Sequence, residues 1–140
     1  MSRPGLALCV LTALLSACAG GCSKLRQVSA CRAVAREVNG AVGEIEALSH
    51  AKTVDEARIA KRYGELARAL EPRSVGVTPL AGAVRDYVTV VRATETTLKS
   101  RVEAAKLPYA KSNESTRELE RLVKREHAAV SRIDVECTTR

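Results

Sequence analysis

The sequence contains very few aromatic side chains. Phe and Trp are absent, and the only aromatic residues are Tyr63, Tyr87 and Tyr109. Aromatic rings provide the platforms on which unpaired nucleic-acid bases stack, and they form many of the cross-strand pairs that stabilise β-sheets. Their scarcity argues against nucleic acid as a partner. It favours a core of Ala, Val and Leu packed between helices.

Proline and glycine are also sparse, with 4 Pro and 8 Gly in 140 residues. They cluster between segments whose apolar residues recur at helical spacing, so no long disordered region is expected. A chain of this length normally forms a single domain. No segment alternates between apolar and polar residues over a useful length, and therefore no strands are predicted.

Sequence motifs of the common enzyme and metal-site classes are missing as well. The chain has no Gly-x-Ser-x-Gly elbow, no His-Glu-x-x-His pair, no glycine-rich phosphate loop and no Cys-x-x-Cys pair. The two histidines, His50 and His127, have no nucleophile or acid at a known motif spacing, so structural roles are expected for both. We therefore predict no catalytic residues, no metal site and no cofactor.

The amino terminus has the pattern of an export signal. A short cationic start, residues 1–4, precedes an uncharged and almost wholly apolar run from Gly5 to Leu15. This run is shorter than the roughly 20 apolar residues needed to span a bilayer. Its length suits the hydrophobic region of a secretory signal.

The run Leu15-Ser16-Ala17-Cys18 resembles the lipobox of bacterial lipoproteins, with a large aliphatic residue, two small residues and then cysteine. The resemblance implies that residues 1–17 are a signal peptide and residues 18–23 a lipidated tether. Cys18 would then carry diacylglycerol and an N-acyl chain, and two or more acyl chains anchor a protein stably. An ordinary cleaved signal and lipidation at Cys22 are the alternative interpretations.

The resemblance also implies a location in the bacterial cell envelope, facing the periplasm or the cell exterior. Residue 19 is Ala. Because Asp at this position retains enterobacterial lipoproteins at the inner membrane, the resemblance favours the outer membrane.

Residues 24–140 are predicted to form an all-α domain, because apolar residues recur at spacings of three and four in four segments. In chain order the predicted apolar stripes are Leu25, Val28, Cys31, Ala35, Val38, Val42 and Ile45; Ile59, Tyr63, Leu66 and Leu70; Leu80, Val84, Tyr87, Val91, Thr94, Leu98, Val102 and Ala105; and Leu119, Leu122, Val123, Val130, Ile133 and Cys137. Short connections predict an up-down-up-down four-helix bundle. The alternative is a three-helix bundle with a loosely packed second helix.

Three local patterns predict where helices begin. Thr53 and Ser115 each precede a glutamate by three residues, the spacing of a capping box. Thr78 precedes Pro79, which places a capping hydroxyl before a proline at the first helical position. Thr53, Thr78 and Ser115 therefore predict the starts of the second, third and fourth helices, respectively.

The cysteines suggest one disulfide. Cys31 lies near the start of the first stripe and Cys137 near the end of the fourth, which an up-down bundle brings to the same end. An oxidising compartment favours a disulfide between them, and the alternative is two separately buried thiols. The role of Cys22 stays open between a free thiol and an intermolecular link.

Basic residues outnumber acidic ones, with 23 Lys+Arg against 16 Asp+Glu. A candidate anion-contacting face on the fourth helix consists of Arg117, Arg121, Lys124 and Arg125. The alternative is a solvated face balanced by Glu118 and Glu120. A second basic group lies close to the predicted lipid and consists of Lys24, Arg26, Arg32 and Arg36. These residues contact either solvent or an anionic leaflet.

These patterns together favour a membrane-anchored envelope lipoprotein whose helical module docks a partner protein without catalysis. One alternative function is a carrier of a small apolar ligand in the bundle core. Another is a thiol enzyme using Cys22, although no base or resolving motif accompanies that residue. The expected partners are the membrane, through the lipid anchor, and an envelope protein.

Overall fold

A computed structural model describes the backbone of residues 8–107 and 112–138, and the side chains of residues 23–107 and 113–138. It contains four α-helices, α1 (Leu8–Ser49), α2 (Glu56–Leu70), α3 (Pro79–Ala104) and α4 (Ser112–Thr138), with a short 3₁₀ turn at Glu71–Arg73. The described segments contain no strand, and the four helices pack against one another. The predicted all-α four-helix bundle is therefore confirmed.

The helix starts agree with the capping predictions at one position of three. Thr78 caps α3, since its hydroxyl accepts a hydrogen bond from the Ala81 backbone N–H at 3.2 Å, and Pro79 is the first helical residue. At α2 the prediction of Thr53 was wrong. The helix begins two residues later than a Thr53 cap requires, and the Asp55 carboxylate accepts from the Arg58 N–H at 3.0 Å.

The predicted start of α4 was also wrong. The helix begins at Ser112, so Ser115 lies within its first turn. A capping-box pattern satisfies backbone N–H groups only where the helix actually begins. Here the polar residues before Ser115 continue the helix backwards by nearly one turn.

Helix α3 is the most extensively packed helix, contacting both α2 and α4, while α1 packs against α2 and only lightly against α4. The largest completely buried side chains are Tyr87, Leu66, Leu70, Leu122, Val34, Val84 and Val91. The predicted stripe of α2 is buried in full, and most of the α3 stripe is buried as well. The α1–α4 seam is consequently less tightly packed than the α1–α2, α2–α3 and α3–α4 seams.

The buried face of α1 differs from the predicted stripe. Val38 and Ile45 are buried as predicted, but Leu25 and Val28 are 72% and 48% exposed. Val34 and Ala41 enter the core instead. The spacing of threes and fours was correct, but an Ala-rich helix offers several such stripes, and the surface of α2 selects one of them.

Contacts between α3 and α4 define the two ends of the bundle. Arg132 pairs with Asp86, and Arg101 donates to the Thr116 hydroxyl at 2.9 Å, so the two helices run antiparallel. The start of α3 thus lies beside the end of α4. We call this end, where Cys137 meets Cys31, the tether end, and the end that contains Arg101 the distal end.

The distal end is held by the Arg101 guanidinium. Its Nη2 and Nε atoms donate to the two carboxylate oxygens of Glu56 at 2.8 and 3.1 Å, while Nη1 reaches Thr116. A single side chain of α3 therefore joins the first turn of α2 to the first turns of α4. Bidentate pairs of this kind also fix orientation, because both partners are planar.

Among the residues that the structure describes, no helix is both long enough and apolar enough to span a membrane.

Candidate functional site

A carboxylate lies between two tyrosines in the middle of the bundle. Tyr63 of α2 and Tyr87 of α3 donate their hydroxyls to Oε2 and Oε1 of Glu126 on α4, each at 3.2 Å. Tyr87 is completely buried and Tyr63 is 9% exposed. We call these three residues the Tyr–Glu cluster. It joins three helices through one polar side chain.

Burial controls the ionisation of the Tyr–Glu cluster. Burial raises the pKa of Glu126 above its usual range, while the hydrogen bonds from Tyr87 and Tyr63 and the charge of His127 oppose that rise. Burial, and then the neighbouring Glu126 carboxylate, raise the pKa values of both tyrosines far above neutrality. The tyrosines therefore remain donors, and the Glu126 carboxylate binds a proton more tightly than a solvent-exposed glutamate does.

The sequence contains a signal for this cluster, because Glu126 is in register with buried residues of α4. Tyr63 and Tyr87 were both placed in apolar stripes, but no partner was assigned to their hydroxyls. Glu126 lies four residues after Leu122 and three before Ala129, both of which are buried. A glutamate in register with core residues requires hydrogen-bond donors from other helices.

A second carboxylate, Glu95 of α3, is buried beside α2. Its Oε1 atom accepts from Lys99 Nζ at 2.7 Å, and its Oε2 atom accepts from Arg92 Nη1 at 3.0 Å. Desolvation acts to raise the pKa of Glu95, but the hydrogen bonds from Lys99 and Arg92 outweigh it and lower the pKa. The carboxyl group lies so close to Gly64 that a β-carbon at that position would collide with it.

The predicted disulfide is present in the structure. Cys31 and Cys137 are bonded, with their Cα atoms 5.8 Å apart and a sequence separation of 106 residues. Beside the bond, Gln27 Nε2 donates to the Glu136 backbone carbonyl at 3.3 Å. These contacts close the tether end of the α1–α4 seam. The side chains of Cys18 and Cys22 lie outside the described residues.

Above the disulfide, the α1–α4 seam opens into a groove of about 260 Å³. Its lining is mainly apolar and consists of Cys31, Arg32, Val34, Ala35, Val38, Asn39, Val130, Ile133, Asp134 and Cys137. Pockets for small organic ligands usually measure about 300–1,000 Å³. The groove is therefore slightly smaller than a typical ligand pocket.

The four predicted anion-contacting residues differ in their surroundings. Arg117, Arg121, Lys124 and Arg125 are all exposed. Arg117 and Arg121 line an open polar cleft between α3 and α4, together with hydroxyl groups such as those of Thr96 and Ser100, whereas Lys124 and Arg125 lie outside it. Arg121 is 3.4 Å from Glu118, which partly balances the charge of this face.

Within the described ranges, no group of three or more His, Cys, Asp or Glu side chains is arranged to hold a metal ion. Comparison with protein-family models, curated proteins and solved structures found no match to this chain.

Proposed function

We propose that this chain is a lipid-anchored, non-catalytic interaction module of the bacterial cell envelope. The observation that carries the proposal is the run Leu15-Ser16-Ala17-Cys18 directly after an apolar signal core. The Cys31–Cys137 bond supports it, because structural disulfides persist in oxidising compartments and are rare in the bacterial cytoplasm.

The α1–α4 groove supports an interaction role. It combines apolar side chains from two helices with a polar edge formed by Arg32, Asn39 and Asp134. Partner helices commonly bind such grooves through an apolar face, with polar contacts at the rim. Because the disulfide ties the two walls together at one end, the groove is already formed before a partner arrives.

The anchor is tested by the mass of the protein extracted from membranes in mild detergent. We expect a chain that begins at Cys18, carries acyl mass and gains two hydrogens on reduction. Cys18→Ala should abolish the acyl mass and release the chain from the membrane, while the matched variant Cys22→Ala should stay acylated. Loss of acylation in Cys22→Ala alone would move the lipid to Cys22. A chain without acyl mass in every variant would overturn the proposal.

A second candidate function, a carrier of a small apolar ligand, is favoured by the same groove because its lining is mostly aliphatic. The two functions differ in what accompanies the purified protein. A carrier should retain a non-covalent apolar molecule in native mass spectra, and replacing Val130 by Asp should remove it. An interaction module should give the mass of the acylated chain alone.

A further inference from the structure

One face of α1 points away from the rest of the bundle. Seven residues at spacings of three and four are all exposed, and we call them the outer face of α1: Leu25, Ser29, Arg32, Arg36, Gly40, Gly43 and Ala47. This face lies opposite the buried positions of the same helix, such as Val38 and Ile45. It is about 33 Å long, from 1.5 Å per helical residue.

The outer face is basic and has no acidic member. Arg32 and Arg36 form no ion pair with any carboxylate among the described residues. The acidic residues of α1 lie elsewhere on the helix, and one of them, Glu44, is 2.6 Å from the Arg62 guanidinium of α2. The helix thus directs a negative charge towards its neighbour and leaves positive charge on its outer face.

Apolar exposure is concentrated at the end of this face that is nearest to the predicted lipid. Leu25, which is 72% exposed, is seven residues after Cys18, or about 10 Å along a helix. A large aliphatic side chain beside basic residues is typical of helices that lie in the interface of an anionic membrane. Each basic residue near such a surface strengthens binding about fivefold.

We infer that the bundle lies on its membrane with the outer face of α1 against an anionic leaflet. The inference rests on the proposed function, since the proposed anchor residue, Cys18, belongs to the same helix. Leu25 enters the interface, Arg32 and Arg36 bind lipid phosphates, and the small residues Gly40 and Gly43 let the helix backbone approach the headgroups. The α1–α4 groove then opens beside the membrane, where a membrane-bound partner can reach it.

Tryptophan is absent from the chain, so a single introduced Trp reports its own position. The test uses the acylated protein in vesicles that contain phosphatidylglycerol and brominated lipid. Ala47→Trp places the reporter on the outer face, 29 residues after Cys18 and roughly 44 Å along the helix. Thr96→Trp places it at an exposed position of α3, near the same distal end. Proximity to the anchor alone cannot bring either reporter to the lipid.

We expect the brominated lipid to quench Ala47→Trp and to leave Thr96→Trp unchanged. Arg32→Glu with Arg36→Glu should abolish the quenching at position 47. The matched pair Arg117→Glu with Arg125→Glu, which changes the net charge equally on α4, should preserve it. When phosphatidylcholine replaces phosphatidylglycerol in the vesicles, the same brominated lipid should no longer quench Ala47→Trp.

Three results would overturn the inference. An acylated protein with unquenched Ala47→Trp would show that the bundle stands away from the bilayer, and the proposed anchor would survive. Equal quenching at both positions would show that no face is selected. Unchanged quenching in the Arg32→Glu and Arg36→Glu variant would exclude recognition by charge. A chain without acyl mass would instead overturn the proposed function, and the inference with it.

Discussion

The Tyr87 hydroxyl of α3 donates a hydrogen bond to Glu126 Oε1 of α4 across a distance of 3.2 Å, although Tyr87 is completely shielded from solvent. The contact gives a largely aliphatic bundle a directional interaction between α3 and α4. It also means that two helices share a group whose charge depends on pH.

Replacing Tyr87 by Phe should lower the free energy of unfolding by about 1–3 kcal/mol, because Glu126 loses a donor in a buried site. Urea denaturation of the two proteins measures this difference. The control is the same replacement in a Glu126→Leu background, where the hydroxyl has lost its acceptor and the cost should be much smaller. An equal cost in both backgrounds would show that ring packing, not the hydrogen bond, holds the site.

Glu126 should make the protein less stable as pH rises above the usual glutamate pKa of 4.5. Burial raises its pKa in the folded state above the usual value of 4.5, so the folded protein binds the proton more tightly than the unfolded chain. Stability from this group is therefore present at low pH and is lost as pH rises through the folded pKa. Urea midpoints measured from pH 4 upwards should show the stability advantage of the wild type over Glu126→Gln shrinking as pH increases. An advantage that grows with pH would contradict the assignment.

The position of the Glu95 carboxyl group should make glycine necessary for full stability at position 64. A β-carbon at position 64 collides with the Glu95 carboxyl group, which the Arg92 and Lys99 side chains hold in place. Gly64→Ala should therefore destabilise the protein, even though Ala is favoured over Gly in a helix by about 1 kcal/mol. In a Glu95→Ala background the collision disappears, and Gly64→Ala should become stabilising by about that amount. Thermal unfolding of the wild type, the two single variants and the double variant measures both effects. If the stability changes of the two single variants simply added in the double variant, the collision would be excluded.

The Cys31–Cys137 bond should contribute strongly to stability. It closes a loop with a sequence separation of 106 residues, and the chain-entropy model assigns up to about 4.7 kcal/mol to a loop of roughly 100 residues. Replacing both cysteines by Ala should lower the free energy of unfolding by a corresponding amount and shift the unfolding midpoint down. Reduction of the wild type should have a similar effect. Cys22→Ala is the control and should leave the midpoint unchanged. A reduced protein as stable as the oxidised one would show that helix packing alone closes this end.

The sequence was sufficient to predict the elements of the fold. Apolar spacing identified four helices, because a helix must bury one side and its side chains repeat every 3.6 residues. Thr78 and Pro79 correctly predicted the start of α3, since capping is a contact within the first turn. The pairing of Cys31 with Cys137 followed from the order of the helices, as helix order decides which ends meet.

Other features depended on contacts between helices. At α2 the capping-box pattern predicted Thr53 as the cap, but the Asp55 carboxylate caps the helix instead. The stripe of α1 had the correct spacing but the wrong register at Leu25 and Val28, because contacts with the other helices determine which side of an Ala-rich helix is buried.

The sequence by itself determined the helical composition, the candidate lipidation residue Cys18 and the excess of positive charge, since each depends on residues close together in the chain. Only the tertiary structure decided that Glu126 receives two tyrosine hydroxyls, that Gly64 faces Glu95 and that the α1–α4 seam is open. The reason is physical. Hydrogen bonds between helices and the space left between them depend on rotation and register of each helix about its axis. The packing of the whole core sets these quantities.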